Sequence, residues 1–133
     1  MDIRLARDEE SLEILNLFTV NRDRMNEADW TNVYPYWAIA IDDGVVIAAL
    51  QMCMSRPIGR VENLLVKKDI NKITATKAAH RLIKFAEAAM KANGCSSIAG
   101  YVIFKNKPIK NLIKKHYGAV VVGSGSMLSW RIS

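Results

Sequence analysis

The stretch "VKKDINKITATKAAHRLIKFAEAAMKANG", Val66 to Gly94, constrains the chain more than any other. It reads as the end of a strand, a polar turn, and a long helix over Thr76–Asn93 stopped at Asn93-Gly94. Ala75, Ala78, Ala79, Leu82, Ile83, Ala86, Ala89 and Met90 recur at helical spacing and form one apolar stripe. The alanines on that stripe are small enough to let the helix sit close to a sheet. A strand, a turn and a helix start in that order suit phosphate, because the free amides and the helix dipole both favour an anion there. Such turns usually carry glycine, which lets backbone approach a pyrophosphate. Between Val66 and Asn93 there is none.

The rest of the chain supplies strands for that helix to cover. Ile3–Ala6 reads as a short first strand. Asp8-Glu9-Glu10-Ser11 is an acidic helix start, which complements the dipole, and that helix is expected to run to about Arg24 with Leu12, Leu15 and Phe18 inward. A looser aromatic segment, "MNEADWTNVYPYW", follows and has room for one short helix. In "WAIAIDDGVVIAALQMCM" two apolar runs flank Asp43-Gly44, the signature of a tight hairpin. "RVENLLVKK" is another strand, as is Ser97–Phe104. Ile109–Tyr117 is a shorter helix closed by Gly118, and Ala119–Val122 with Met127–Ile132 makes a last hairpin around "GSGS". The order is β-α-β-β-β-α-β-α-β-β. A crossover helix makes the strands on either side of it parallel, and hairpins make the others antiparallel. The fold class is therefore α/β (α+β mixed): a central mixed sheet of six or seven strands with helices on both faces.

Size and composition bound the function. The chain has 133 residues, enough for a single domain spanning 1–133. Cys53 and Cys95 lie in no ligand spacing and read as free thiols of a reducing compartment. His80 and His116 are far apart, so no metal site is expected. The start "MDIRLARDEESLEIL" has no apolar core of a signal peptide, and no apolar run reaches membrane-spanning length. A soluble, cytoplasmic protein is the expectation. The net charge of +6 favours acidic partners without choosing among them.

This order of elements resembles the GNAT fold of acetyl-CoA-dependent N-acetyltransferases, over nearly the whole chain. Three segments carry the resemblance. "ENLLVKKDINKITATKAAHRL" is similar to the family's strand, its Q/R-x-x-G-x-G/A loop and the following helix. Counted forward from Val66, the Q/R position falls near Asn71; counted back from Gly94, the last small residue falls near Ala79. The two counts differ by about a helical turn, which implies a longer loop than usual. The resemblance assigns cofactor binding to Leu65, Val66, Lys72, Ile73, Thr74, Ala75, Thr76, Lys77, Ala79 and Asn106, with acetyl-CoA as the cofactor, held more weakly for want of glycine. Lys67, Lys68, Lys72 and Lys77 surround the same point with positive charge, or are simply a solvated helix end.

The second segment, "FKNKPIKNLIKKHYGAVV", resembles the family's N-x-x-A-x-x-x-Y-x-x-x-G-F. Asn106 and Gly118 fit with one extra residue between them; the tyrosine position holds Lys114, and Tyr117 stands beside Gly118. Tyr117 is read either as the acid that protonates the departing thiolate or as a packing residue. The third is Glu62 in "RVENLLV". Many family members keep a carboxylate on this strand to deprotonate the amine, since an ammonium is no nucleophile. Strict alternation puts Glu62, Leu64 and Val66 on one face and Val61, Asn63 and Leu65 on the other. Arg60 shares the Glu62 face, so an ion pair and a general base both remain open. Tyr34, Tyr36 and Trp37, with Trp30, fall where the family binds its acceptor; they line an amine pocket or cover the sheet as core.

The resemblance implies acetyl transfer to a primary amine of an unidentified acceptor, small molecule or protein, by direct attack. The alternative is a GNAT-like module without catalysis that acts as an accessory, assembly or partner-binding protein, as small versions encoded by tailed bacteriophages do; its place would then be the host cytoplasm. A homodimer belongs to either reading. A membrane does not, and nucleic acid ranks last because no recognition motif accompanies the charge.

Overall fold

The computed structural model describes residues 1–10, 13, 14, 17, 36–101, 111, 114, 115, 117, 120–123 and 127–132, of which 62, 63, 101, 120–123 and 127–129 are described by backbone alone. The strands are β1 (Asp2–Leu5), β2 (Tyr36–Asp42), β3 (Val45–Cys53), β4 (Ile58–Val66), β5 (Ser97–Tyr101), β6 (Val120–Gly123) and β7 (Met127–Arg131). They form one sheet in the order β1-β2-β3-β4-β5-β7-β6. Helix α1 (Lys72–Ala92) crosses from β4 to β5, and these two strands are parallel. The other pairings are antiparallel. The last hairpin returns inward, so β7 lies between β5 and β6.

The Asp43-Gly44 turn forms where its chemistry requires. Both residues take positive φ, 52° and 76°, the pairing that matches the twist of a two-residue hairpin. The stripe on α1 also packs as read: Ala78, Leu82, Ile83, Ala86 and Met90 are buried against Ala38, Ala40, Ala48, Leu50, Met52 and Val61 of the sheet. Full burial of each larger side chain in that set contributes about 1.5–3 kcal/mol. The approach is close. A Cβ on Gly59 of β4 would lie 2.9 Å from Cγ of Met90, so glycine is what lets the helix settle there.

The opposite face carries a second apolar layer. Ile14 and Leu17 pack with Trp37, Ile39, Val46, Ala49 and Leu65. The chain leading there is fixed by Arg4 and Glu10, joined by two hydrogen bonds of 2.6 Å, while the amide of Arg7 donates to the same carboxylate at 2.7 Å. Leu12, Leu15 and Phe18 lie outside the described residues, as do the bounds of the first and last helices.

Three sequence expectations change. β1 begins at Asp2 rather than Ile3. α1 begins at Lys72, not Thr76, because Asn71 caps it: its Oδ1 accepts the amide of Thr74 at 2.8 Å. The β4–α1 connection therefore spans 67–71. Finally, β4 does not alternate strictly. Leu50 pairs with Leu64 and Met52 with Val61, so Gln51 alone faces the two residues Glu62 and Asn63. This bulge moves the pattern by one. Val61, Leu64 and Val66 all pack with the α1 side, and Leu65 packs on the other.

Candidate active site

The parallel ladder between β4 and β5 is short. It pairs Ile58 with Ser97 and runs to Val61 with Gly100. β4 continues to Val66, and no β4–β5 pair beyond Val61–Gly100 lies among the described residues. The bulge at Glu62-Asn63 begins where these pairs end, and a bulge locally increases twist. The candidate notch is the β5-facing side of β4 beyond Val61, with β4 backbone along it.

The start of α1 closes one end of the notch. Residues 67–71 turn the chain, anchored by the amide of Lys67 donating to the carbonyl of Ile47 at 2.8 Å. The first-turn amides of a helix have no acceptor inside it. Here the Thr74 amide is taken by Asn71 Oδ1, and that of Ala75 by the Asn71 carbonyl at 3.0 Å. Those of Lys72 and Ile73 remain for an outside acceptor. Lys67, Lys68, Lys72 and Lys77 are all exposed around this end, and no acid stands in the first turn. An anion such as a pyrophosphate fits this end by charge and by two outward amides. The self-cap and the side chains of Thr74 and Thr76 narrow the approach. Of the residues read as cofactor-binding, Lys72, Ile73, Thr74, Ala75, Thr76 and Lys77 share the first two turns. Ile73 is 82% exposed. Ala79 does not join them; it is buried further along the helix. Leu65 is buried on the far face and reaches the notch only through its backbone, whereas Val66 packs at the α1 side. Asn106 lies outside the described residues.

The backbone of Glu62 lies at the bulge, where the notch opens. Gln51, which faces the bulge from β3, is completely buried, a rare position for a polar side chain. Trp37 sits beside Gln51 in the β2–β3 register. It is a core residue, 4% exposed, on the face away from α1, and its indole N–H has no hydrogen-bond partner among the described residues. Tyr36 next to it is half-exposed at the start of β2. Tyr34 lies outside the described residues.

Tyr117 is seated on α1. Its hydroxyl donates to the carbonyl of His80 at 3.2 Å and lies 2.8 Å from Nδ1 of the same residue. If the phenol proton goes to the carbonyl, Nδ1 carries the proton of the second bond. The ring packs near Trp130, with Nζ of Lys84 at 4.9 Å over its face. Burial, helped by the negative charge of Glu87, pushes the phenol well above its ordinary value. These contacts fasten the C-terminal part of the chain to α1. Two features escape sequence reading here: His80 as the partner of Tyr117, and Asn71 as a cap. Asn is a favoured cap residue and stands just before the helical stripe. The described residues include no group of His, Cys, Asp and Glu able to hold a metal, and no helix long and apolar enough to cross a membrane.

No family model matches the sequence, and no curated protein matches it. Solved structures do. A ribosomal-protein-alanine N-acetyltransferase from Escherichia coli superposes with a TM-score of 0.77 at 11% identity, over 99% of this chain and 94% of that one. A Salmonella typhimurium acetyltransferase solved with acetyl-CoA gives 0.74 at 12% identity, over 99% and 94%. A GNAT-family acetyltransferase from Staphylococcus aureus gives 0.74 at 12% identity, over 99% and 100%. At such identities the likeness is one of architecture, and the fold of this chain is the fold of the GNAT acetyltransferases.

Proposed function

We propose that the chain is an acetyl-CoA-dependent N-acetyltransferase acting on a primary amine. The observation that carries this reading is the lysine-rich start of α1, with two outward amides, directly after β4, whose described pairs with β5 stop at Val61–Gly100. An extended amide-bearing arm suits a strand edge, since the edge offers it alternating donors and acceptors. The amides of Lys72 and Ile73, with Lys72 and Lys77, would hold the phosphates. The bound thioester supplies the activated acetyl carbonyl. A β4 amide near Val66 would stabilise negative charge on that carbonyl oxygen. Glu62 would take the proton from the attacking amine, directly or through water. Tyr36, and the aromatic segment before it, would face the acceptor.

Calorimetric titration with acetyl-CoA tests the site. Micromolar binding, about −8 kcal/mol, supports it; no heat and no thermal shift at high concentration sinks it. Glu62→Gln is expected to lower turnover while leaving acetyl-CoA affinity intact, and wild-type turnover across pH would remove Glu62 from the role. One observation favours a second reading, a non-catalytic partner-binding module: Asn71 already occupies the Thr74 amide, and threonines stand where the loop resemblance asks for small residues. Absence of acetyl-CoA binding together with a stable complex or homodimer would favour it.

A further inference from the structure

The charge of this chain is unevenly divided. From Ile70 onward it carries eleven Lys and Arg against one acid, Glu87; before Ile70 it carries eight against twelve acids. The fold collects part of the basic half on one surface. Lys77, Arg81, Lys84 and Lys91 are exposed on α1 at spacings of four, three and seven residues, which places them on one side of the helix. They span about 21 Å at 1.5 Å per residue. The only acid of this half is removed from the surface: Glu87 is 8% exposed and bonded to Lys84 at 3.3 Å. Arg81 donates to the carbonyl of Met1 at 2.8 Å, a contact that leaves its charge uncompensated. Tyr117 is seated on His80 beside Lys84, and Lys114 and Lys115, three and two residues before it, are exposed. None of Lys77, Lys91, Lys114 and Lys115 has a carboxylate partner among the described residues.

We propose that this face of α1, extended by Lys114 and Lys115, binds the phosphate backbone of duplex nucleic acid. The occupant follows from what the face holds and lacks. Its cations are arrayed along a straight rod, as suits a regular line of phosphates. A protein interface needs an apolar, desolvated centre, and an anionic membrane needs several bulky apolar side chains. The face has neither; Ile73, at the far end of α1, is the helix's only exposed large apolar side chain. No exposed aromatic ring stands among the described cations to stack on single-stranded bases. The binding is therefore electrostatic and indifferent to sequence. It shares Lys77 with the acetyl-transfer reading, whereas Lys91, Lys114 and Lys115, the residues varied below, have no role in that reading.

The test is fluorescence anisotropy of a labelled DNA duplex titrated with the full chain at several salt concentrations between about 50 and 200 mM. Five uncompensated cations predict a slope of log K against log salt of about −4.5. The triple variant Lys91→Glu, Lys114→Glu, Lys115→Glu is expected to bind at least tenfold more weakly at the lowest salt, with the slope reduced to about −2. The proposal is overturned by no binding at the lowest salt, by a triple variant with the wild-type slope, or by tighter binding to phosphatidylserine vesicles or poly-glutamate than to the duplex.

Discussion

Gly59→Ala is a small change whose cost can be worked from the packing. The added methyl would lie 2.9 Å from Cγ and 3.2 Å from Cε of Met90, and closer still to its sulfur. Met90 is completely buried, so its chain cannot swing into solvent. Either the thioether leaves its rotamer or α1 lifts from β4. Overpacking of this kind costs about 1–3 kcal/mol. For a chain of this size that is a fall in Tm of roughly 4 °C or more. Urea unfolding with linear extrapolation measures it. Met90→Ala alone removes buried volume and should cost about 2–5 kcal/mol. In the double variant the new methyl occupies part of the space that Met90 vacated. The two losses should then fall short of additivity by about 1 kcal/mol or more, as contacting residues do. Gly59→Ala within about 0.5 kcal/mol of wild type, or a double variant equal to the sum, would refute the close seat of α1 on β4.

Three further outcomes follow from described contacts. Glu10, hydrogen-bonded by Arg4 and by the Arg7 amide, is held down to about 2 from an ordinary 4.5 despite its burial. Its stabilising effect is complete above the ordinary value and is lost as pH falls from there through about 2, so Glu10→Gln should melt earlier at neutral pH yet show a flatter loss of Tm in acid. Asn71→Ala removes the cap on Thr74 and should cost about 1 kcal/mol in denaturant melts; a neutral variant would mean the cap contributes nothing. Tyr117→Phe deletes the bonds to His80 and should cost about 1 kcal/mol without changing the acetyl-transfer rate; a large fall in kcat at unchanged stability would return Tyr117 to the role of acid.

What was legible in the sequence is what local chemistry dictates. Asp43-Gly44 reads as a hairpin because few other pairs accept positive φ at both positions. The α1 stripe reads as a helix because eight apolar residues share one face. The start of α1 was harder to see, since "DINKIT" contains neither glycine nor proline to mark a boundary, and Asn71 serves a turn and a cap alike. The β4 bulge was invisible: Glu62 and Asn63 look like any strand residues, and the bulge is defined by what Gln51 faces across the sheet. Tyr117 and His80 are 37 residues apart, so no spacing rule connects them. The fold was thus readable from propensity and periodicity, while the site depends on long-range pairings that a linear pattern does not contain.

In the acetyl-transfer reading, a β4 that parts from β5 beyond Val61 would give this sheet an edge in its interior. An outer edge is defended by charge or shortness, because any extended chain can dock on it. An inner edge is defended by its walls, which admit a single slender guest and exclude a second strand. Such a guest is chosen by its thickness and by the chemistry of its two ends, because the lane itself reads only backbone-like donors and acceptors. In that reading, selectivity for the molecule that fills it would be set at the lysine-rich end and at the acceptor end.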